Sequence, residues 1–233
     1  DNMAAKKTKL EQLISDIHQY GINYDSREVY LHSLQMEEGS GEAGVEHRMA
    51  TSFIKNIHVL ARQNSNPILV HLHSIGGNWC DGMAIFNTIR FCKAPITIVA
   101  YAQVSSMSGI ILQAGDYRVM MPDCDFMMHY GSICMGGSIV TVKSTVDFSH
   151  ESLKKRMMSI FAKRAKVGSY FIDRKYSEGK IKLFFDRKLK EKGDWYMNAQ
   201  DSLEYGLCDA IASSDTFGSY EEMLAVEKYN EII

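Results

Sequence analysis

The stretch ILVHLHSIGGNWCDGMAIFNTIRFCKAPITIVAY, residues 68–101, decides the fold class. An apolar run at 68–73 is followed by a glycine-containing turn at 74–82, a helical pattern at 83–92 and a second apolar run at 96–101. Short, almost continuously apolar strands joined by a crossover helix are typical of parallel sheets that are covered on both faces. The stretch therefore predicts an α/β fold built from repeated β-α-β units.

The segments around this unit continue the pattern. Upstream, a first strand is expected at 27–34, a loop at 36–45 and an amphipathic helix at 46–63. Downstream, a turn at 103–109 leads into a helix that ends at 115, and strands are expected at 118–121 and 125–129. We interpret all of these segments as one sheet with its covering helices.

The two ends of the chain differ in character from this core. Residues 7–19 space their leucines and isoleucines three and four apart, which predicts a short amphipathic helix. After a glycine-rich segment at 131–138, residues 140–189 are strongly charged and mostly helical in pattern. Residues 198–210 predict a helix that stops at Gly206 and a short strand after it.

Composition excludes several classes of protein. The 233 residues suit one domain, 45% of them are hydrophobic, and the net charge of −2 lacks the basic surplus of a nucleic-acid binder. No run approaches the roughly 18 apolar residues of a membrane span. The charged first 20 residues lack the apolar core of a secretory signal. We therefore expect no nucleic acid and no membrane among the partners.

The cysteines predict a reducing compartment. Their number is odd and no CxxC pair occurs, so we expect reduced thiols in a cytoplasmic protein, with small buried side chains rather than metal ligands. No phosphate-binding glycine motif is present either. We therefore expect no metal and no cofactor. The cysteines are Cys80, Cys92, Cys124, Cys134 and Cys208.

Ser106 is a candidate nucleophile. It follows an apolar strand in AQVSSMSG, residues 102–109, where a helix begins. Backbone N–H groups are free at such a position and suit a developing oxyanion. Serine is also a preferred helix cap, so the position fits a structural role as well. Ser105 and Ser108 are rivals on local grounds.

Gly76, Gly77, His129 and Asp194 complete the set of candidates. The Gly-Gly pair follows a strand and exposes N–H groups, although a tight turn alone would explain it. His129 ends the apolar run 126–128, from which it could reach a neighbouring turn. Asp194 separates the charged helical region from the last helix. Each observation is weak when it is taken alone.

Together, four ordered motifs resemble the Clp protease proteolytic subunit. They are SIGGNWCDGMAIFNTI from residue 74, AQVSSMSGIILQAG from residue 102, FMMHYG from residue 126 and DWYMNAQDSLEYGLCD from residue 194. The resemblance covers roughly residues 27–212. It implies the core shared by that family and the crotonases, with a projecting helical handle at about 130–190. Residues 1–26 would then be an N-terminal helical segment and 213–233 a C-terminal tail.

The resemblance implies a serine endopeptidase. Ser106 would attack the peptide carbonyl, His129 would act as the general base, and Asp194 would orient the imidazole. The backbone N–H groups of Gly77 and Met107 would hold the oxyanion.

The resemblance also implies an assembly. Family members form heptameric rings that stack into a tetradecamer, and an AAA+ unfoldase feeds unfolded polypeptide into the enclosed chamber. We expect the handle to make the contact between rings.

Some positions depart from the family pattern. Ile75 and Gly131 stand where proline is usual, Ser105 replaces an alanine and Ser108 a glycine. Residues 176–193 resemble an insertion, and the helix at 7–19 is unusual for the family. These departures suggest a divergent member, and a phage origin is one hypothesis.

Alternatives remain open on sequence. A crotonase would use the same core for acyl-CoA chemistry but generally lacks the Ser-His-Asp set. A phage prohead or scaffold-processing protease of the same clan would work without an unfoldase. A catalytically inactive subunit would instead modulate a ring of active paralogues.

Overall fold

The computed structural model describes residues 8–31, 44–132 and 134–229. The predicted loop at 36–45 and the end of the first strand, 32–34, lie largely outside these ranges. The strands are β1 Ile22–Asn23, β2 Glu28–Leu31, β3 Ile68–Ser74, β4 Ile96–Ser105, β5 Tyr117–Met120, β6 Asp125–Met128, β7 Trp195–Met197 and β8 Ala210–Ile211.

The helices lie near the predicted segments, but two of them begin earlier than predicted. The helix at 83–92 starts at Trp79, and the predicted turn at 103–109 is occupied by the end of β4 and the start of a helix that ends at Leu112. They are α1 Lys9–Tyr20, α2 His47–Gln63, α3 Trp79–Phe91, α4 Met107–Leu112, α5 Ile139–Phe148, α6 Lys154–Ala165, α7 Ser169–Asp173, α8 Glu178–Lys192 and α9 Ala199–Glu204. A π-helical turn, Ser149–Leu153, joins α5 to α6, and a 3-10 helix, Glu221–Met223, lies near the end of the chain. No helix within the described ranges is long and apolar enough to cross a bilayer.

One sheet joins these eight strands, and the α/β prediction is confirmed. Six of the strands follow the order β1-β2-β3-β4-β5-β8, while β6 pairs with β4 and β7 pairs with β6. Pairs from β2 to β8 along this order are parallel, and β1 pairs antiparallel with β2. The long strand β4 pairs with β3 along one edge and with two strands along the other. Its first half pairs with β5, and its last residues, 103–105, pair with β6. Because of this division, β6 rather than β5 lies beside the end of β4.

The two faces of the sheet are covered differently. The main core joins one face to buried side chains of α2, α3, α4, α6 and α8. The opposite face carries a smaller cluster, in which Met223 and Leu224 of the chain's last segment pack against Val99 and Val119. Thr97 Oγ1 donates to the carbonyl oxygen of Met223 at 2.8 Å. The last described segment of the chain therefore covers the face of the sheet opposite the main core.

The charged region after His129 divides into two kinds of helix. No residue of α5 is buried, so this helix stands away from the core. In contrast, α6 and α8 contribute Met157, Phe161 and Phe185 to the main core. Residues 176–193, which resemble an insertion in sequence, form α8 and end at Gly193, with φ +71°. This segment is built into the domain and leads directly to Asp194.

The expectation that the cysteines are buried is wrong for two of them. Cys80 and Cys134 are exposed, and the other three are buried. Burial raises the pKa of the Cys124 and Cys208 thiols to about 12, which keeps both as neutral, weakly reactive thiols.

A buried ion pair ties β5 to the residues before β8. The Arg118 guanidinium is 1% exposed and binds both carboxylate oxygens of Asp209, at 3.0 Å from Nε and 2.5 Å from Nη2. Burial acts to raise the pKa of Asp209, but Arg118 outweighs it and the pKa is held below its ordinary value.

Asp209→Asn should therefore lower the free energy of unfolding by about 3–5 kcal/mol, because Arg118 would keep its buried charge without a counterion. Urea unfolding at fixed subunit concentration measures the change. A depressed carboxyl pKa gives stability that is complete above the unfolded value of about 3.9 and is lost as the pH falls through the folded value. The difference between the two proteins should therefore shrink in acid.

Asp147→Asn is the matched control. It breaks the exposed Lys143–Asp147 pair on α5 and should change the stability by less than about 1 kcal/mol. Equal effects of the two substitutions would contradict the assigned importance of the buried pair.

Candidate active site

Strand register brings the three candidate side chains together. In the parallel pair of β4 and β6, Ser105 lies opposite Met127, and the Ser106 N–H donates to the Met127 carbonyl at 2.9 Å. In the antiparallel pair of β6 and β7, Met128 lies opposite Trp195. Continuing that register by one residue places His129 opposite Asp194. Ser106 and Asp194 thus approach His129 from two neighbouring strands.

A chain of hydrogen bonds connects the three side chains. Ser106 Oγ lies 2.7 Å from His129 Nε2, and His129 Nδ1 lies 3.1 Å from Asp194 Oδ1. Because an ionised carboxylate only accepts, this network assigns the proton to Nδ1 and leaves Nε2 to accept from the serine. The His129 side chain is 20% exposed and that of Asp194 is 58% exposed.

The rival serines do not share this geometry. Ser105 is buried in β4, and Ser108 is buried in α4. The Ser108 hydroxyl has no hydrogen-bond partner among the described residues. Of the serines in 105–108, only Ser106 is hydrogen bonded to His129 within the described part of the chain.

Ser106 stands in a strained backbone conformation. Its φ of +54° and ψ of −122° are unusual for a residue with a Cβ atom. The sharp turn comes directly between β4 and α4, and it resembles the strained elbow that exposes the nucleophile in α/β-hydrolases. Strain of this kind costs about 1–3 kcal/mol and is concentrated at functional sites.

The Gly76–Gly77 turn packs against the backbone of this elbow. A Cβ atom on Gly76 would lie 2.6 Å from the Ser105 carbonyl oxygen, 2.7 Å from Ser106 Cβ and 2.9 Å from the Met107 nitrogen. With φ +97°, the position also requires glycine. The absence of a side chain therefore brings the turn into contact with the candidate nucleophile.

Val45 fixes the orientation of Gly77. The Val45 N–H donates to the Gly76 carbonyl at 2.7 Å, and the Asn78 N–H donates to the Val45 carbonyl at 2.8 Å. This parallel bridge turns the Gly77 N–H away from Val45. The Met107 N–H is one of the first N–H groups of α4, and such groups lack a partner within their own helix. Both groups are thus available as donors beside Ser106.

A cleft of about 880 Å³ surrounds these groups. Ser106 and His129 line it together with the glycine turn. Apolar side chains from α4, from α6 and from the π-helical turn before α6 form a further part of the wall. The apolar residues are Ile110, Leu153, Met157 and Phe161. The volume lies in the range of sites that bind small ligands or short segments of chain.

Sequence reasoning missed three elements of this site. It did not predict β7, whose three residues form the strand that presents Asp194. It also missed Val45, which orients Gly77, and the contribution of α6 to the cleft. The spacing of Met157 and Phe161, four residues apart, could have indicated one helix face. Nothing in the local sequence indicates which cavity that face lines.

Comparison with known proteins agrees with this architecture. The Clp protease family model matches residues 40–215, which is more than half of the chain. The ATP-dependent Clp protease proteolytic subunit of Deinococcus radiodurans is 28% identical over 172 residues, 72% of this chain and 76% of that protein.

Two further relatives are similar to the same extent. The ATP-dependent Clp protease proteolytic subunit 2 of Pseudomonas aeruginosa is 27% identical over 177 residues, 74% of this chain and 79% of that protein. The subunit from Streptococcus agalactiae is 28% identical over 174 residues, 73% of this chain and 82% of that protein. The resemblance read from the four sequence motifs is confirmed. The chain belongs to the Clp protease family and is a serine-type peptidase, a hydrolase.

Proposed function

We propose that this chain is a serine endopeptidase subunit that hydrolyses peptide bonds of unfolded polypeptides inside an oligomeric chamber. In the proposal Ser106 is the nucleophile, His129 the general base and Asp194 the group that orients the imidazole. The single observation that carries these roles is the hydrogen-bond chain from Ser106 Oγ through both ring nitrogens of His129 to Asp194. Triads are recognised by such geometry rather than by chain order.

The first half of the reaction forms an acyl-enzyme. Ser106 Oγ bonds to the peptide carbonyl carbon while its proton moves to His129 Nε2, and the carbonyl electron pair moves to oxygen. Asp194 stabilises the imidazolium that forms. The intermediate collapses as the C–N bond breaks, and the leaving amine takes the proton from His129. The acyl group then remains on Ser106 as an ester.

The second half releases the product. Water gives a proton to His129 Nε2 and attacks the ester carbonyl. Collapse of this second intermediate returns the proton to Ser106 Oγ and frees the new carboxyl terminus. In both halves the N–H groups of Gly77 and Met107 would donate to the oxyanion. Removing one donor of this kind typically lowers kcat by about 10²–10³.

An oligomer follows from family membership and fits the exposed surface. We propose heptameric rings, stacked as a tetradecamer through the handle at about 130–190, with a cytoplasmic AAA+ unfoldase as the partner. The isolated chain exposes apolar side chains on α5, including Ile139 at 88% and Phe148 at 58%. No α5 side chain is buried in the chain alone. Apolar exposure on this scale is typical of a surface that a partner covers.

Labelling with a fluorophosphonate probe tests the proposed nucleophile. The oligomeric state is measured first by sedimentation, and wild type and Ser106→Ala are then labelled and mapped by peptide mass. We expect modification of Ser106, because its hydroxyl is activated by His129, and no labelling in the variant. A well-assembled oligomer that does not react would contradict the proposal and would favour the inactive regulatory subunit. Peptidase activity of the subunit on folded scaffold protein, without an unfoldase, would favour the processing protease.

A further inference from the structure

The cleft beside Ser106 has an unequal distribution of charge. Among the described residues that line it, the charged side chains are Lys154 of α6 and Lys190 of α8. None of the described lining residues is an aspartate or glutamate. The chain as a whole has a net charge of −2, so this wall has the opposite sign from the molecule that carries it.

The two lysines share one carboxylate. Lys154 Nζ lies 2.7 Å from Asp186 Oδ1, and Lys190 Nζ lies 2.6 Å from Asp186 Oδ2. The Tyr130 hydroxyl also donates to Asp186. Hydrogen bonds from Lys154, Lys190 and Tyr130 hold the pKa of Asp186 well below its usual range, so this carboxylate stays ionised. Two ammonium groups against one carboxylate leave an excess of one positive charge at the wall.

The surroundings strengthen the interactions that this excess charge can make. The Lys154 side chain is 25% exposed, and it lies above the Tyr130 ring, with Nζ 4.5 Å from the ring centroid. Leu153 and Met157 flank it on the lining of the cleft. Apolar walls lower the local dielectric and raise the energy of an interaction between charges. Lys190 is 65% exposed and can move toward a ligand.

We propose that this wall makes the enzyme prefer peptides that carry a carboxylate close to the scissile bond. The inference rests on the proposed peptidase function and adds a substrate class to it. Lysine is a compact charge on a flexible stem, so it can meet a carboxylate without fixed geometry. The carboxylate can be an acidic side chain or the free C-terminus of a short peptide, and the test separates these two sources.

The experiment compares quenched fluorogenic peptides that differ at one position. Glutamate or glutamine is placed at each position from the fourth residue before the bond to the third after it, with both termini blocked. A second series keeps glutamine throughout and has a free C-terminal carboxylate. We expect kcat/KM to be about fivefold higher for glutamate at one or two positions, or for the free terminus, since partly exposed charge pairs are weak.

Substitutions assign the preference to the two lysines. The double variant Lys154→Gln with Lys190→Gln should reduce the preference to less than about twofold. Asp186→Asn should increase it, because the excess positive charge doubles. Salt should weaken it, since the Debye length falls from about 10 Å at 0.1 M to about 3 Å at 1 M.

Lys182→Gln is the matched control. Lys182 also lies on α8 and pairs with a carboxylate four residues away, with Nζ 2.8 Å from Glu178 Oε1. Lys182 is not among the described residues that line the cleft. The control should keep the wild-type preference although it also removes a lysine charge from α8.

The outcomes separate this inference from the proposed function. Equal kcat/KM for glutamate, glutamine and the free terminus, in an enzyme whose Ser106 reacts with the probe, overturns the inference and leaves the peptidase intact. A preference that survives the double lysine substitution overturns it as well. No cleavage of any peptide together with no labelling of Ser106 overturns the proposed function, and the inference with it.

Discussion

Ser106→Ala should lower kcat/KM for a blocked peptide by about 10⁵–10⁶, close to the limit of detection. The hydroxyl 2.7 Å from His129 Nε2 is the group that would form the covalent bond, and alanine leaves nothing in its place. The glycine turn and the cleft do not depend on that hydroxyl. The variant should therefore assemble and bind peptide as the wild type does, and sedimentation and peptide binding measure both.

Ser105→Ala and Ser108→Ala are the matched controls. Both serines are buried beside the elbow, and the Ser108 hydroxyl has no partner among the described residues. Removing an unsatisfied buried hydroxyl should leave stability unchanged or raise it slightly. Activity within about threefold of wild type is expected for Ser108→Ala. An equal loss of activity in a control variant and in Ser106→Ala would contradict the assignment of Ser106 as the nucleophile.

Ser106→Gly extends the same experiment to stability. Glycine tolerates the positive φ of +54°, whereas alanine keeps the Cβ atom and its strain. The glycine variant should therefore be inactive and yet more stable than the alanine variant, by about 1 kcal/mol. A less stable glycine variant would mean that the elbow does not store strain.

Much of the fold follows from local sequence patterns. The apolar runs at 68–73 and 96–101 became β3 and β4, and the periodic segments around them became α2 and α3. These elements are predictable because each is long enough to show a period and has a stop signal, such as Pro95 or the Asn64–Pro67 segment. Ser106 was also predicted at its observed place, between a strand and a helix.

Strand register could not be predicted in this way. Asp194 reaches His129 because β7 pairs antiparallel with β6, although 65 residues separate the two side chains in sequence. A three-residue strand has too few alternations to show a pattern. The division of β4 between β5 and β6 is equally invisible locally. The position of Asp194 was therefore available only from family resemblance until the pairing was seen.

The charge at the cleft also depends on tertiary structure. Lys154 and Lys190 belong to a region whose mixed charges predict a solvated helical face. Their common partner, Asp186, is four residues from Lys190 but on a different helix from Lys154. The two lysines line the same wall of the cleft because α6 packs against α8, and this packing cannot be read from the local sequence.

Asp194→Asn should lower kcat by about 10⁴ and change KM little. The carboxylate accepts from His129 Nδ1 at 3.1 Å and so keeps the proton on that nitrogen. An asparagine side chain can instead donate its N–H to Nδ1, which moves the ring proton to Nε2. A histidine in that tautomer cannot accept the proton of Ser106. The steady-state kcat and the rate of fluorophosphonate labelling should fall together.

Two further variants decide whether Asp194 acts through His129. Asp201→Asn removes an exposed carboxylate from the first turn of α9 and should leave kcat nearly unchanged. Adding Asp194→Asn to Ser106→Ala should cause no further loss, because residues that act as one unit are strongly non-additive. The Asp194 carboxylate is 58% exposed in the single chain, so water competes for it. A loss of less than about tenfold would mean that Asp194 does not control the tautomer, and that the imidazole is held by the strand register alone.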